Sequence, residues 1–283
     1  MGLPLDQLGK TGDERLEVVD PDRARAYAAA TNDDNPAYTS GKYAPPVFAV
    51  VPTWEAMSLA VAEVVPPDQL AMIVHGEQDM HFAQPLVPGM ELRTVAQPFS
   101  YRVGGTGTRC TIRVDATTDS GDPVLTQYVT LFVRGLSEGE SAGPDKPDHR
   151  FPAEARDKVI GEVSIHVDDD QTYRYKEASG DPMPIHVDED FAKAVGLPGI
   201  IAHGLCTMAM CSQAVIKLAA DGDPARLRRL AVRFSNNVFP GSDVVTTLHD
   251  AGVTEGGRKA IAFEARSGGQ IVIKNGRAEI DPA

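Results

Sequence analysis

The sequence predicts an α+β fold made twice: two tandem copies, each a long apolar helix lying across a curved antiparallel β-sheet, packed as a pseudo-dimer. Three observations carry this expectation. The segment His81-Phe82-Ala83-Gln84-Pro85-Leu86-Val87-Pro88-Gly89 is matched, 152 residues on, by Arg233-Phe234-Ser235-Asn236-Asn237-Val238-Phe239-Pro240-Gly241. Asp20, Tyr27, Asp33 and Pro36 are matched by Asp168, Tyr175, Asp181 and Pro184 at a second constant offset of 148 residues, so the copies differ by four residues in one loop. In each copy an apolar helical stretch precedes a run of strands, whereas a parallel doubly wound sheet needs the two to alternate.

The elements follow in order. The first copy reads as a helix over about 21–30, an apolar helix over about 53–65, and strands around 73–84, 91–103, 108–118 and 123–134. In the second, Asp168 is placed to cap a helix over about 169–178, its carboxylate accepting first-turn N–H groups. A short helix over about 189–195 is capped by Asp188 and stopped by Gly196 and Pro198. A long apolar helix runs over about 204–219 and ends at Asp221-Gly222, followed by strands Leu230–Asn236, Asp243–Ala251, Lys259–Arg266 and Gln270–Ile280. Residues 136–154 are rich in Gly, Ser, Pro and charge, a linker composition, and divide the chain into repeats 1–135 and 155–283.

Composition narrows the function. With 283 residues, 42% apolar and 24% charged, the chain can bury a sizeable core, which excludes disorder, collagen-like repeats and a disulfide scaffold. No apolar run reaches the roughly 20 residues of a membrane span. Met1 to Lys10 lacks a basic-then-apolar leader, so the expectation is a cytoplasmic protein. A net charge of −13 repels a phosphate backbone and argues against nucleic acid. Arg226, Arg228, Arg229 and Arg233 form the one basic cluster, read as a solvated edge, with coenzyme A phosphates or an acidic carrier protein as its functional alternative. Cys110, Cys206 and Cys211 show no CxxC spacing and read as reduced, mostly buried thiols.

The densest polar stretch is Ser179-Gly180-Asp181-Pro182-Met183-Pro184-Ile185-His186. Two prolines between Asp181 and His186 make a stiff, extended loop, which can hold a carboxylate and an imidazole at a fixed separation for acid–base work on one water. A turn Asp beside a surface His is the bland reading of the same residues. The comparison of copies favours chemistry. Opposite His186 stands Tyr38, opposite His203-Gly204 stand Val51-Pro52, and opposite Ser212 stands Ala60. Proline offers no N–H, so three polar capabilities of the second copy are missing together from the first. Gly204 opens the apolar helix, where free N–H groups and the helix dipole favour an oxyanion. Ser212 shares the buried face of that helix, and its bland partner is the Met208 carbonyl.

A metal site at His186, Asp188, Glu189 and Asp190 is disfavoured, because carboxylates at a helix start complement its dipole and no His pair stands at i,i+4. Residues 104–107, GGTG, fall between strands as a hairpin turn and are not a dinucleotide fingerprint. His75, His81, His149, His166 and His249 have no local constellation and read as structural or exposed, and His203 is placed to orient the loop at the helix start but is assigned no chemistry.

The run Tyr175-Lys176-Glu177-Ala178-Ser179-Gly180-Asp181-Pro182-Met183-Pro184-Ile185-His186, with Phe191-Ala192 and Ile201-Ala202-His203-Gly204-Leu205, resembles the signature of MaoC-like dehydratases. It is most similar to (R)-specific enoyl-CoA hydratases of the hydratase 2 type, in the form with two fused hot-dog repeats and an active second repeat. The resemblance covers essentially the whole chain. It implies Asp181 and His186 as the catalytic pair, the Gly204 N–H as donor to the thioester carbonyl, and Ser212 as a hydroxyl bonded to the catalytic carboxylate. One departure stands at Met183, where the family usually has Asn. The resemblance further implies an acyl thioester substrate on coenzyme A or acyl carrier protein, no metal or redox cofactor, and a homodimer of double hot-dog chains. In the first copy Phe48, Val50, Trp54 and Met57 are expected to wall the acyl chain. Which of Asp181 and His186 acts as base, the residues leave open. A hot-dog thioesterase is the rival enzyme, but it needs a group aimed at the carbonyl carbon. A decayed acyl-binding or partner subunit is the non-enzymatic rival, and the intact second copy opposes it.

Overall fold

The computed structural model describes residues 2–283. Its strands are β1 (Arg15–Val18), β2 (Ile73–Phe82), β3 (Glu91–Gly104), β4 (Gly107–Thr118), β5 (Pro123–Arg134), β6 (Val159–His166), β7 (Leu227–Phe234), β8 (Asp243–Val253), β9 (Lys259–Ser267) and β10 (Gln270–Ile280). They form one sheet in the order β1-β3-β4-β5-β2-β7-β10-β9-β8-β6. Read outward from the β2–β7 seam, both halves run through equivalent strands, so the tandem repeat of the sequence becomes a pseudo-two-fold in the sheet. At the seam Gln78 faces Val232, Asp79 faces Ala231 and Met80 faces Leu230, antiparallel.

Among the described residues six α-helices accompany the sheet: α1 (Pro21–Ala30), α2 (Pro36–Thr39), α3 (Trp54–Ala62), α4 (Gln171–Ser179), α5 (Glu189–Ala194) and α6 (Gly204–Ala219). The long helix of the second repeat has the expected bounds, and eleven of its residues, Cys206 through Ala219, are buried. That near-continuous burial is why its apolar residues are not confined to one stripe. Its counterpart α3 stops at Ala62 rather than near 65. Val65 stands before Pro66-Pro67, and a residue preceding proline avoids the α region. Asp20 caps α1 by accepting from the Asp22 and Arg23 N–H groups, and Asp188 caps α5 by accepting from Phe191. Asp168 does not cap its helix. Its carboxylate accepts from Arg174 at 2.5 Å and from Asn32 at 3.1 Å, and α4 begins two residues later than expected, behind Asp170. Edge strands β1 and β6 were not foreseen. Both alternate between half-buried and exposed residues, too weak an apolar signal to stand out.

The basic cluster is neither a solvated edge nor a free phosphate site. Arg229 is 6% exposed and grips Asp79 across the seam with two bonds, 2.7 and 3.0 Å. Arg226 pairs with Asp221, Arg228 with Asp281 and Arg233 with Glu77. Buried charges persist only when paired; Arg229 and Arg233 pair across the join between repeats, while Arg226 and Arg228 pair within the second. The connecting segment is pinned as well. The Arg102 guanidinium donates to the carbonyls of Ala142, Gly143 and Pro144 and to Asp145, while His149 bridges the Asn275 carbonyl and Glu77.

Candidate active site

The catalytic candidates converge because three pieces of chain are tied to one another. Helix α4 ends at Ser179, and Gly180 turns the chain with φ 79°, a left-handed conformation that glycine adopts without steric cost. Asp181 accepts at Oδ1 from the Met183 N–H at 3.0 Å, which closes the first turn of the loop. Pro184 to His186 form a short 3₁₀ turn. The His186 ring then bonds the Ile201 carbonyl at 2.8 Å through Nδ1, and the Ile201 N–H donates to the Ile185 carbonyl at 3.2 Å. Those two bonds fasten the loop beside residues 201–203, which lead directly into α6. One carboxylate oxygen of Asp181 and one ring nitrogen each of His186 and His203 lie within 4.8 Å of one another.

The electrostatics of this cluster follow from burial. A backbone carbonyl only accepts, so Nδ1 of His186 carries the proton and the neutral ring leaves a lone pair on Nε2. Burial lowers the His186 pKa, against the opposing pull of the Ile201 carbonyl and the Asp181 charge. His203 is 2% exposed, and burial with the neighbouring His186 holds it down to about 2. The two imidazoles are stacked, centroids 3.8 Å apart and planes at 26°. The two rings therefore lie in nearly parallel planes. Gly204 is the first residue of α6, so its N–H belongs to the set without an intrahelical acceptor. The Phe234 ring lies where a side chain on Gly204 would go, 3.2 Å from the ideal Cβ position.

Asp181, His186 and the helix start at Gly204 thus share one place, while two other expectations need correcting. The Ser212 hydroxyl is buried but donates to the Ala209 carbonyl at 2.7 Å, not to Asp181. Its single proton is spent inside its own helix, one residue from the Met208 acceptor named as the bland choice. Phe48, Trp54 and Met57 do not form one wall. Phe48 is buried in the main core with its ring 5.5 Å from Tyr27, Met57 packs against a separate cluster under β3 and β4, and Trp54 is 41% exposed. Val50 joins Phe48 in the main core.

His203, which the sequence places at the helix start without chemistry of its own, and Tyr175, which it gives no role, pack beside the candidate pair. Tyr175 packs on His203 at 4.7 Å, and both nitrogens of His203 are buried without a bonding partner among the described residues. The signal was available: a histidine one residue before a glycine that opens a buried helix sits at the mouth of that helix whatever its chemistry.

The first repeat shows what was lost. Asp33 and Tyr38 occupy the positions of Asp181 and His186 and line an open cleft of about 510 Å³ with Arg25, Asn32 and Asp34. Burial pushes Asp33 up to about 6 despite a bond from the Asn35 N–H. The Tyr38 hydroxyl is buried and unpartnered among the described residues. Pro52 stands where Gly204 would offer its N–H.

Residues 150–269 match the MaoC-like domain, and residues 7–127 match the FAS1-like dehydratase domain region. The chain is 27% identical over 215 residues to a protein of Dictyostelium discoideum named probable enoyl-CoA hydratase 2, covering 75% of this chain and 71% of that one. It is 27% identical over 244 residues to the peroxisomal hydratase-dehydrogenase-epimerase of Neurospora crassa, covering 83% of this chain but only 26% of that longer protein. The crystal structure of a MaoC-like dehydratase from Phytophthora capsici superposes with a TM-score of 0.87 at 25% identity, covering 99% of each chain. Two matched dehydratase regions, one per repeat, and a full-length structural counterpart place this chain in the MaoC-like dehydratase family.

Proposed function

We propose that the chain catalyses the reversible hydration of trans-2-enoyl thioesters to (R)-3-hydroxyacyl thioesters in fatty-acid or related acyl metabolism, with Asp181 and His186 as its catalytic pair. The observation that carries the reading is the meeting of Asp181, His186 and the start of α6 in the second repeat alone. The relatives named enoyl-CoA hydratase 2 and hydratase-dehydrogenase-epimerase support the reaction, and the hydratase 2 resemblance supports the (R) outcome.

Hydration needs an electrophilic C3, an activated water and a proton for C2. The Gly204 N–H polarises the thioester oxygen and holds the enolate as it forms, at the positive end of a buried helix. The lone pair on His186 Nε2 takes a proton from the water as its oxygen bonds to C3. A proton then passes to C2 through the Asp181–His186 pair, so one water is added overall, hydroxyl to C3 and hydrogen to C2. Dehydration follows the same steps backward. This chemistry calls for no metal or redox cofactor. Coenzyme A is the carrier proposed, with acyl carrier protein as the second carrier and a homodimer as the assembly.

Purified protein incubated with crotonyl-CoA and longer 2-enoyl-CoA substrates is expected to consume the enoyl-thioester absorbance and release the (R)-3-hydroxy product. Asp181→Asn and His186→Ala should each lower the rate by about 10²-fold or more. Unchanged turnover in both variants removes the site. Release of free coenzyme A without hydration supports a thioesterase instead.

A further inference from the structure

We propose that Arg23, a residue of the repeat that lacks the catalytic histidine, is a positioning residue for Asp181, acting through the end of α4. The inference rests on the hydratase reading of Asp181 and adds the part that the first repeat plays in it.

Arg23 lies on α1, 158 positions before Asp181, yet its guanidinium reaches across the α1–α4 contact. Nε donates to the Ala178 carbonyl at 2.9 Å and Nη2 to the Ser179 carbonyl at 2.7 Å. These are carbonyls of the last turn of α4, which an α-helix leaves without intrahelical donors. A cation there also complements the negative end of the helix dipole. Ser179 is held from the other side too, because its hydroxyl accepts from the Asp181 N–H at 3.2 Å. Two hydrogen bonds therefore connect the guanidinium to the backbone of the catalytic carboxylate, Arg23 to Ser179 and Asp181 to Ser179.

The guanidinium also fills the space beside Gly180. A Cβ on that glycine would fall 2.5 Å from Nη2, so the left-handed turn that launches the loop is packed directly under the charge. Symmetry shows the contact in a second form. At the pseudo-two-fold position stands Gln171, whose Nε2 donates to the Ala30 carbonyl at the end of α1. Both helix ends are tied from the opposite repeat at two successive carbonyls: at the end of α1 the task is split between Arg174 on Ala29 and Gln171 on Ala30, whereas at the end of α4 the single fork of Arg23 takes both. Catalysis depends on geometry at this precision, since a displacement of about 1 Å in a reacting group can cost on the order of 10²-fold.

Arg23 is exposed, so truncating it opens no cavity in the core. The test compares Arg23→Ala and Arg23→Gln with the unaltered chain, reading kcat and KM on crotonyl-CoA together with the thermal midpoint. Arg23→Ala is expected to lower kcat by about 10-fold with KM changed less than about twofold, within the range that misplacement produces. Arg23→Gln, able to make the single bond that Gln171 makes, is expected to recover part of that loss. A kcat in Arg23→Ala equal to that of the unaltered chain overturns the proposal. So does a fall matched by an equal loss of folded protein, or one carried by KM alone. If the unaltered chain does not hydrate enoyl-CoA at all, the hydratase reading fails instead, so the two failures are distinguishable.

Discussion

The hydroxyls of Tyr27 and Tyr175 lie 3.0 Å apart, each residue the other's counterpart in the repeat, so this bond sits at the pseudo-two-fold between α1 and α4. From it a column of rings leads to the loop that carries Asp181 and His186: Tyr27 to Tyr175 at 5.2 Å, Tyr175 to His203 at 4.7 Å, His203 to His186 at 3.8 Å. The join between repeats and the His186 imidazole are thereby one packed unit. Phe48 backs the column from the first repeat, which is the role it takes in place of an acyl wall.

Removing both of the paired hydroxyls should cost less than the two single removals added together. Tyr27→Phe or Tyr175→Phe leaves the remaining hydroxyl buried without its partner, a loss of about 1–3 kcal/mol. The double variant removes the orphan along with the bond, and its loss should fall well below the sum of the single ones. Urea unfolding of the four proteins measures this coupling. Strict additivity would mean the two hydroxyls do not satisfy each other.

Much of this was legible in the sequence because the repeat could be compared with itself. The bounds of α6, the Asp188 cap and the polar loop all have local causes in residue type and spacing. The His, N–H and Ser missing from the first copy make the second the candidate active one. What stayed hidden depends on long-range geometry. No spacing rule shows that Asp168 is claimed by Arg174, that Arg229 finds Asp79 from 150 residues away, or that His203 stacks on His186. Ser212 illustrates the limit from the other side, since its buried face was readable and its hydrogen-bond partner was not.

Gly204→Pro would transplant the lesion of the first repeat into the second. Proline is tolerated at the first position of a helix, and His203 already has the extended conformation, φ −62° and ψ 135°, that a residue before proline favours. The helix should survive while the oxyanion donor is lost, lowering kcat by about 10²–10³-fold. Gly204→Ala is the control for bulk, because it adds a Cβ facing Phe234 but keeps the N–H. Equal activities of the two variants would show that crowding, not the lost donor, limits the rate.

The buried imidazoles give stability a pH dependence of known sign. The His203 pKa is about 2 in the fold, below its ordinary value of 6.5, so the unfolded chain binds the extra proton between those limits. The contribution is fully present above pH 6.5 and is lost as pH falls, by about 1.4 kcal/mol per pH unit at the steepest. His203→Phe keeps a ring against His186 and Tyr175 without a titrating group. Its unfolding free energy, followed from pH 7 to 4.5, should decline less steeply than that of the unaltered chain, by close to one proton. Parallel curves would mean that His203 is solvated or charged in the fold.

Asp33 titrates with the opposite sign. Its folded pKa, about 6, stands above the ordinary 3.8, so the fold disfavours the charged form and stability is lost as pH rises through that window. Asp33→Asn keeps an oxygen for the Asn35 N–H and removes the charge. It should therefore stabilise the protein at pH 8 by on the order of 1–2 kcal/mol and change little at pH 4, where the acid is already neutral. Turnover of enoyl-CoA should be unaffected, because the cleft of the first repeat has Tyr38 in place of the imidazole and Pro52 in place of the oxyanion donor. Thermal melts at the two pH values, with kcat measured alongside, separate the outcomes. A variant destabilised at pH 8, or slowed in turnover, would assign the Asp33 carboxylate a working role that these losses argue against.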